Sequence, residues 1–220
     1  METKPLQSVA YEQLLAMVQN HELEFGKIYS ETHMAKRFEV SRTPMRDALN
    51  RLATERYIDI LPSRGFQLHK STREDILEAY HIRSAIERYC SRCLAENHLQ
   101  EEAASLIDKM EALCTEQAHM AAADSMDLQK FWDCDYNFHL CLIRYIDLPC
   151  FYQQFNFYMH FYVAHHYSSY RTLFRDRSTV DEHQQLIEAL RAGKPADAER
   201  CLQYHMDQSL RIVLNSFETE

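Results

Sequence analysis

Glycine and proline are scarce, at 3 and 5 of 220 residues. An all-β chain turns roughly every 8–12 residues and leans on those two residues to do so. This chain cannot supply such turns, so a mainly helical protein is expected. Long apolar runs are also missing: none approaches the roughly 18 residues of a membrane span. The opening METKPLQSVAYEQ has no basic stretch followed by an apolar one, so no secretory signal and no membrane partner are expected. Cysteine is present, but seven is an odd number. It fits reduced thiols in a cytoplasm better than a disulfide framework. Cys90-x-x-Cys93 has no second CxxC to complete a zinc site and reads as two small core-filling side chains.

Apolar residues make up 46% of the chain and charged residues 26%, the balance of a folded globule rather than a disordered chain. The formal net charge of -9 is unevenly placed. Residues 1–70 carry 10 Lys+Arg against 9 Asp+Glu, whereas residues 71–220 carry 14 against 24. Within 36–70 the count is 8 basic to 4 acidic. A polyanion would therefore meet the N-terminal part.

That part reads as helix, turn, helix, hairpin. Ser30 is placed to cap a helix through Met34, Ala35 and Phe38, and Ser41 to cap a second one, SRTPMRDALNRLATE, with Pro44 in its first turn. Met45, Ala48, Leu49 and Leu52 make one buried stripe at i, i+3, i+4, i+7. Arg42, Arg46 and Asn50 share another face, with Thr43 beside them. Arginine can bond guanine bidentately, asparagine can do the same to adenine, and threonine can meet a phosphate or a thymine methyl. Tyr57–Ile60, a turn through Pro62, Arg64 and Gly65, and Phe66–Leu68 form a wing-like hairpin. At its tip, a glycine allows close approach to a sugar-phosphate wall and Arg64 can enter a narrow minor groove.

The run V40-S-R-T-P-M-R-D-A-L49, with R51-L52 and R64-G65-F66, resembles the winged helix-turn-helix of GntR-type bacterial transcription regulators over about residues 6–70. The resemblance implies operator contacts from Arg42, Thr43 and Arg46, with Arg64 and Gly65 at the wing. Two positions depart from the pattern. Thr32 follows Glu31 where an arginine is common, and Glu39 precedes Val40 where glycine is common. Glu39 must then accept a left-handed conformation or alter the turn.

From Ser71 onward the pattern is helix after helix, giving a second domain over 71–220 after a winged domain over 1–70. Ser71-x-x-Glu74 is a capping-box signature. The helix after it shows Ala79, Ile82, Ile86, Tyr89 and Cys93 as its stripe. Further helices are expected over about 99–122, 124–147, 149–170, 179–192 and 196–217, with Gly193 closing one helix and Pro195 following. The fold class is mainly α, a winged helix-turn-helix followed by an all-α bundle of six to seven helices.

Four inward-facing residues stand out in that bundle. Asp135 and His139 are i, i+4 among Phe131, Phe138 and Leu142; His183 precedes Leu186, Ile187 and Leu190; His205 follows Leu202. Burying an uncompensated carboxylate is costly, and a divalent ion would compensate it. One carboxylate and three imidazoles suit Zn first, with Ni, Fe, Co or Mn as alternatives. On residue types alone, three satisfied core histidines remain the rival reading. His160, His165 and His166 could line a pocket.

The order Asp135-Tyr-Asn-Phe-His139, Glu182-His183, His205 resembles the FCD domain, the C-terminal ligand domain of part of the same superfamily. The resemblance implies those four residues as metal ligands and Arg83 as a contact for an anionic effector, although Arg83 can equally pair with Glu87 at i+4. The expected whole is a cytoplasmic, homodimeric DNA-binding regulator and no enzyme. It would bind double-stranded operator DNA and repress until a small organic acid binds beside the ion. The alternatives are a regulator that senses the metal itself and a metalloenzyme using the Asp/His set.

Overall fold

A computed structural model of the chain describes residues 5–20, 22–123, 125–168 and 176–217. The chain divides into two compact units, Met1–Lys70 and Ser71–Glu220. Among the described residues no helix is long and apolar enough to cross a membrane.

The first unit runs α1 (Leu6–Gln19), α2 (Glu31–Arg37), α3 (Arg42–Thr54), β1 (Ile58–Leu61) and β2 (Gly65–Leu68). Helix α1 packs on α3, so Ala10, Leu14 and Met17 are buried along with Met45, Ala48, Leu49 and Leu52. The α3 stripe is the one its spacing predicts. Ser30 accepts from the His33 N–H at the start of α2. Ser41 occupies the N-cap position of α3 with extended backbone, but its side chain makes no capping bond, contrary to expectation.

Glu39 does take the left-handed conformation, with φ 55°. It sits just past α2, where the Val40 N–H reaches the Ala35 carbonyl at 3.0 Å and the Glu39 N–H reaches Lys36 at 3.3 Å. This closes the helix in the manner that favours glycine. A side chain there costs about 1 kcal/mol, so Glu39→Gly is expected to raise the unfolding free energy of this unit by about that amount. Urea denaturation followed by circular dichroism measures it; unchanged stability would show that the strain is relieved elsewhere.

Strands β1 and β2 pair antiparallel, with Ile60 opposite Phe66 and Leu61 opposite Gly65. Pro62, Ser63 and Arg64 form the tip. Gly65 lies at the base of that turn, and its absent side chain has an internal reason. Its φ is 124°, and a Cβ would fall 2.1 Å from the Tyr29 carbonyl oxygen. Tyr29 forms a short third edge through two backbone bonds with Phe66, of 2.7 and 3.0 Å. The neighbouring chain segment is thus by itself enough to require glycine at this position.

The second unit comprises α4 (Arg73–Glu96), α5 (Glu101–Ala121), α6 (Leu128–Ile146), α7 (Pro149–Ser168), α8 (Asp176–Arg191) and α9 (Pro195–Ser216). Helix α4 packs against α6, α7, α8 and α9, and α5 packs against α6 and α8. The capping box at the start of α4 falls one residue later than expected. Thr72 Oγ1 accepts from the Asp75 N–H and Asp75 accepts from the Thr72 N–H. Ser71 is unavailable because it is buried and its hydroxyl donates to the Phe161 carbonyl. Asp127 caps α6, and the expected start at residue 124 lies outside the described residues, as does Tyr170. Gly193 closes α8 with φ 60°, and Pro195 opens α9, as read.

The stripe expected for α4 holds only in part: Ala79 is buried and Ile86 packs against the core, but two of its members face outward. Ile82 and Tyr89 are 37% and 51% exposed. The buried face carries Ile76, Ala79, Arg83, Glu87, Cys90 and Leu94. Two charged residues can occupy the core side because they neutralise each other there, with Arg83 Nε donating to Glu87 Oε1 at 2.7 Å. Cys90 is buried, which pushes its thiol up to about 12 and keeps it protonated. That suits a packing role.

Candidate metal centre and nucleic-acid face

Asp135 and His139 stand one turn apart on α6, with His183 on α8 and His205 on α9; all four are buried. One nitrogen or oxygen from each lies within 4.8 Å of the others. His139 Nε2 is 3.2 Å from His205 Nε2, and His183 Nε2 is 3.6 Å from Asp135 Oδ1. Metal bonds of about 2.1 Å place neighbouring ligand atoms roughly 3.0–3.4 Å apart, so these separations are close to what an ion would need.

The opposite side of each ring explains why these atoms converge. His139 Nδ1 meets Glu87 Oε2 at 2.6 Å, His205 Nδ1 meets Glu182 Oε2 at 3.0 Å, and His183 Nδ1 meets Gln117 Oε1 at 3.0 Å. Gln117 is oriented in turn, because its amide nitrogen donates to the Phe131 carbonyl. Phe138 lies flat against the His183 ring, 3.8 Å between centroids. Every Nδ1 therefore faces an acceptor and carries the proton of a neutral ring. Every Nε2 is then a lone pair aimed inward, beside a carboxylate. Lone pairs at 3.2 Å repel unless a cation lies between them, and His183 Nε2 has no hydrogen-bond partner. The donor set fits a divalent transition ion, held at Asp135, His139, His183 and His205 and oriented by Glu87, Gln117 and Glu182.

Electrostatics disfavour the charged forms of His183 and His205. Burial, followed by the neighbouring His205 and His139, pushes His183 well below the ordinary imidazole range. Burial also lowers His205, against the raising effect of its bond to Glu182. Glu87 is fully buried, which alone would raise its carboxyl, but Arg83 and His139 outweigh that and hold it at about 2. Of the two readings of Arg83, the pair with Glu87 is what the geometry contains. Sequence reasoning missed Gln117 altogether and saw Glu87 only as a partner for Arg83. The available signal was a polar residue recurring on otherwise apolar buried faces. The side chains of His160, His165 and His166 lie outside the described residues.

In the first unit Arg42, Thr43, Arg46 and Asn50 are all exposed on α3, and Arg64 is exposed at the hairpin tip. Arg46 reaches Glu31, the first residue of α2, at 3.2 Å.

The model of the bacterial regulatory proteins of the gntR family matches residues 6–68, and that of the FCD domain matches residues 78–208. The chain belongs to the GntR family and carries an FCD domain. The chain is 30% identical to the HTH-type transcriptional repressor RspR of Escherichia coli over 148 residues, 66% of this chain and 61% of that one. It is 31% identical to the gluconate operon transcriptional repressor of Bacillus subtilis over 139 residues, 63% of this chain and 54% of the relative. A probable D-xylose utilization operon transcriptional repressor of Paenarthrobacter nicotinovorans is 26% identical over 88% of this chain and 82% of its own. Among solved structures, E. coli McbR/YncC has a TM-score of 0.70 at 19% identity, covering 98% of this chain and 100% of that one. A GntR regulator from Rhodococcus sp. RHA1 has the same score at 17% identity, covering 95% and 97%. Both share the fold. The domains and relatives of this GntR protein are those of transcriptional regulators, not enzymes.

Proposed function

We propose that this regulator represses from an operator and is released by a small hydroxy or sugar acid bound beside a divalent ion, Zn first among the candidates, in the FCD bundle. The observation that carries the proposal is the convergence of three imidazole lone pairs and a carboxylate in one buried volume, each ring held from behind by an acceptor. Bound there, the ion supplies positive charge and open coordination positions for an anion. Arg83 secures Glu87, and a carboxylate effector would be its second anion. A relative named as a gluconate operon repressor accords with both the sign and the class of acid, and one named as a probable D-xylose utilization operon repressor accords with the sign alone.

On the other unit, Arg42, Thr43, Arg46 and Asn50 form the reading face and Arg64, beside Gly65, the wing contact. A homodimer would set two such faces about 34–36 Å apart on a pseudo-palindrome. An effector changes operator affinity only by binding the two forms of the protein unequally. Native mass spectrometry with elemental analysis reads the ion and any retained acid together. Operator titration with and without gluconate-like acids reads the switch, and no shift with any acid tested would overturn effector control. An affinity that instead followed free metal would make the ion the signal. Arg46→Ala is expected to cost ~1–3 kcal/mol of specific binding; unchanged operator affinity would remove the major-groove assignment.

A further inference from the structure

An open groove of about 440 Å³ lies between α4 and α9, lined by Arg88, Glu199, Arg200, Gln203, Tyr204 and Asp207. That is the size of a small-ligand site. Two arginines and two carboxylates give the lining a formal charge of zero. Gln203 sets its polarity. The amide oxygen accepts from Arg88 Nη1 at 3.1 Å and from Ser84 Oγ at 3.0 Å. The amide nitrogen donates to Asp207 Oδ1 and to the Tyr80 hydroxyl oxygen, both at 2.7 Å. A guanidinium therefore lies at one end of this carboxamide and a carboxylate at the other, and Tyr80 holds the carboxylate by donating to it. Arg88 is incompletely used. Its Nη2 reaches Glu199 at 3.3 Å, whereas its Nε is buried with no hydrogen-bond partner. A buried donor without an acceptor is costly. Arg200 and Tyr204 are exposed on the α9 side of the groove.

We infer that this groove is a second ligand site and that it takes a small zwitterion of the α-amino acid class. The carboxylate goes to Arg88, with Arg200 on the same rim, and the ammonium goes to Asp207. The Gln203 carboxamide already shows which way such a molecule lies: oxygen toward the guanidinium, nitrogen toward the carboxylate. A carboxylate paired side-on with Arg88 through Nε and Nη2 gives the unpartnered Nε its acceptor, in the bidentate geometry a guanidinium favours. Because that Nε is sealed from solvent, Arg88 turns outward as the ligand enters and releases Glu199, which keeps Arg92 within 3.9 Å. A simple anion would meet Asp207 and Glu199, and a simple cation would meet two arginines. A molecule carrying both charges matches a lining of zero net charge. An apolar or aromatic substituent covers the Tyr204 ring. The site is separate from the metal cage. Arg88 is half-buried and Tyr204 exposed, while their chain neighbours Glu87 and His205 are buried at the cage.

Calorimetric titration of the full chain with L-phenylalanine tests it, beside phenylpropanoate, which lacks the ammonium, and phenylethylamine, which lacks the carboxylate. Phenylalanine should bind saturably, and each analogue about tenfold more weakly or worse. Asp207→Asn should remove most of the advantage of phenylalanine over phenylpropanoate. Arg88→Gln should remove most of its advantage over phenylethylamine. A general loss of stability would not produce those two selective losses, and far-UV circular dichroism with melting temperature checks the fold of each variant. A chelator that strips the ion should leave phenylalanine binding unchanged; binding lost with the ion would place the ligand at the cage and overturn the groove. Either analogue binding as tightly as phenylalanine would overturn the zwitterion. No saturable binding by phenylalanine or by any other of the protein amino acids would overturn the site.

Discussion

Glu87→Ala is expected to destabilise the C-terminal bundle by about 3–5 kcal/mol and to weaken metal binding about 10–100-fold. The two effects share a cause. Glu87 is fully buried, with one oxygen accepting from Arg83 and the other from His139. Removing the carboxylate leaves a guanidinium inside the bundle without its main counter-charge. It also frees His139 to rotate or to change tautomer, so its Nε2 no longer points reliably at the other three donors. Glu87→Gln separates the contributions: the amide oxygen can still accept from His139, but the charge facing Arg83 is gone. Stability should then fall much as for alanine while metal affinity falls less. Urea unfolding with chelator present measures the first quantity, and competition with a chromophoric chelator measures the second. Equal metal affinity for wild type and Glu87→Ala would show that Glu87 does not orient His139.

Adding zinc to the metal-stripped protein should stabilise the bundle by about 4 kcal/mol at a free concentration a thousand times the dissociation constant. Asp135→Ala should abolish most of that gain. The carboxylate is the only anion among the four inward donors, and binding to a site formed only on folding adds directly to folding stability. Acid should act in a defined direction. His183 and His205 are held below the ordinary value of about 6.5. Above that value folded and unfolded forms are both neutral, and the metal-free bundle keeps its full stability. As pH falls below it the unfolded chain takes up protons that the folded rings resist, so stability declines. Glu87 adds a second loss, complete only as pH passes through about 2. With metal present the decline below pH 6.5 should be steeper, because protons must also displace the ion. A melting temperature that rises equally with zinc in wild type and Asp135→Ala would remove the assignment.

Much of this arrangement is legible in the sequence, for identifiable reasons. The α3 stripe and the hairpin follow from local spacing, because the first unit is small and each element buries one clear face. The four inward donors are readable because their helix neighbours are strongly apolar. Helix α4 is not readable in that way. Its outer face is as apolar as its inner one, and its inner face carries Arg83 and Glu87, whose burial makes sense only with His139 placed opposite. Gln117 is invisible for the same reason: an isolated glutamine becomes informative only once it is seen to hold the His183 ring. The capping box moved by one residue because Ser71 was engaged by α7, a contact between positions 90 residues apart. Helix α1 carries no signal beyond modest amphipathicity and enters only through the extent of the family resemblance.

Glu87 lies 52 residues from His139, which lies 66 from His205. The cage is thus assembled from distant stretches and remains open until α9 has docked. Closing such long loops comes late in folding, so ion capture would mark the end of maturation rather than nucleate it. A nascent chain whose α9 had not yet left the ribosome would lack His205, one of the four donors, and would hold a divalent ion poorly.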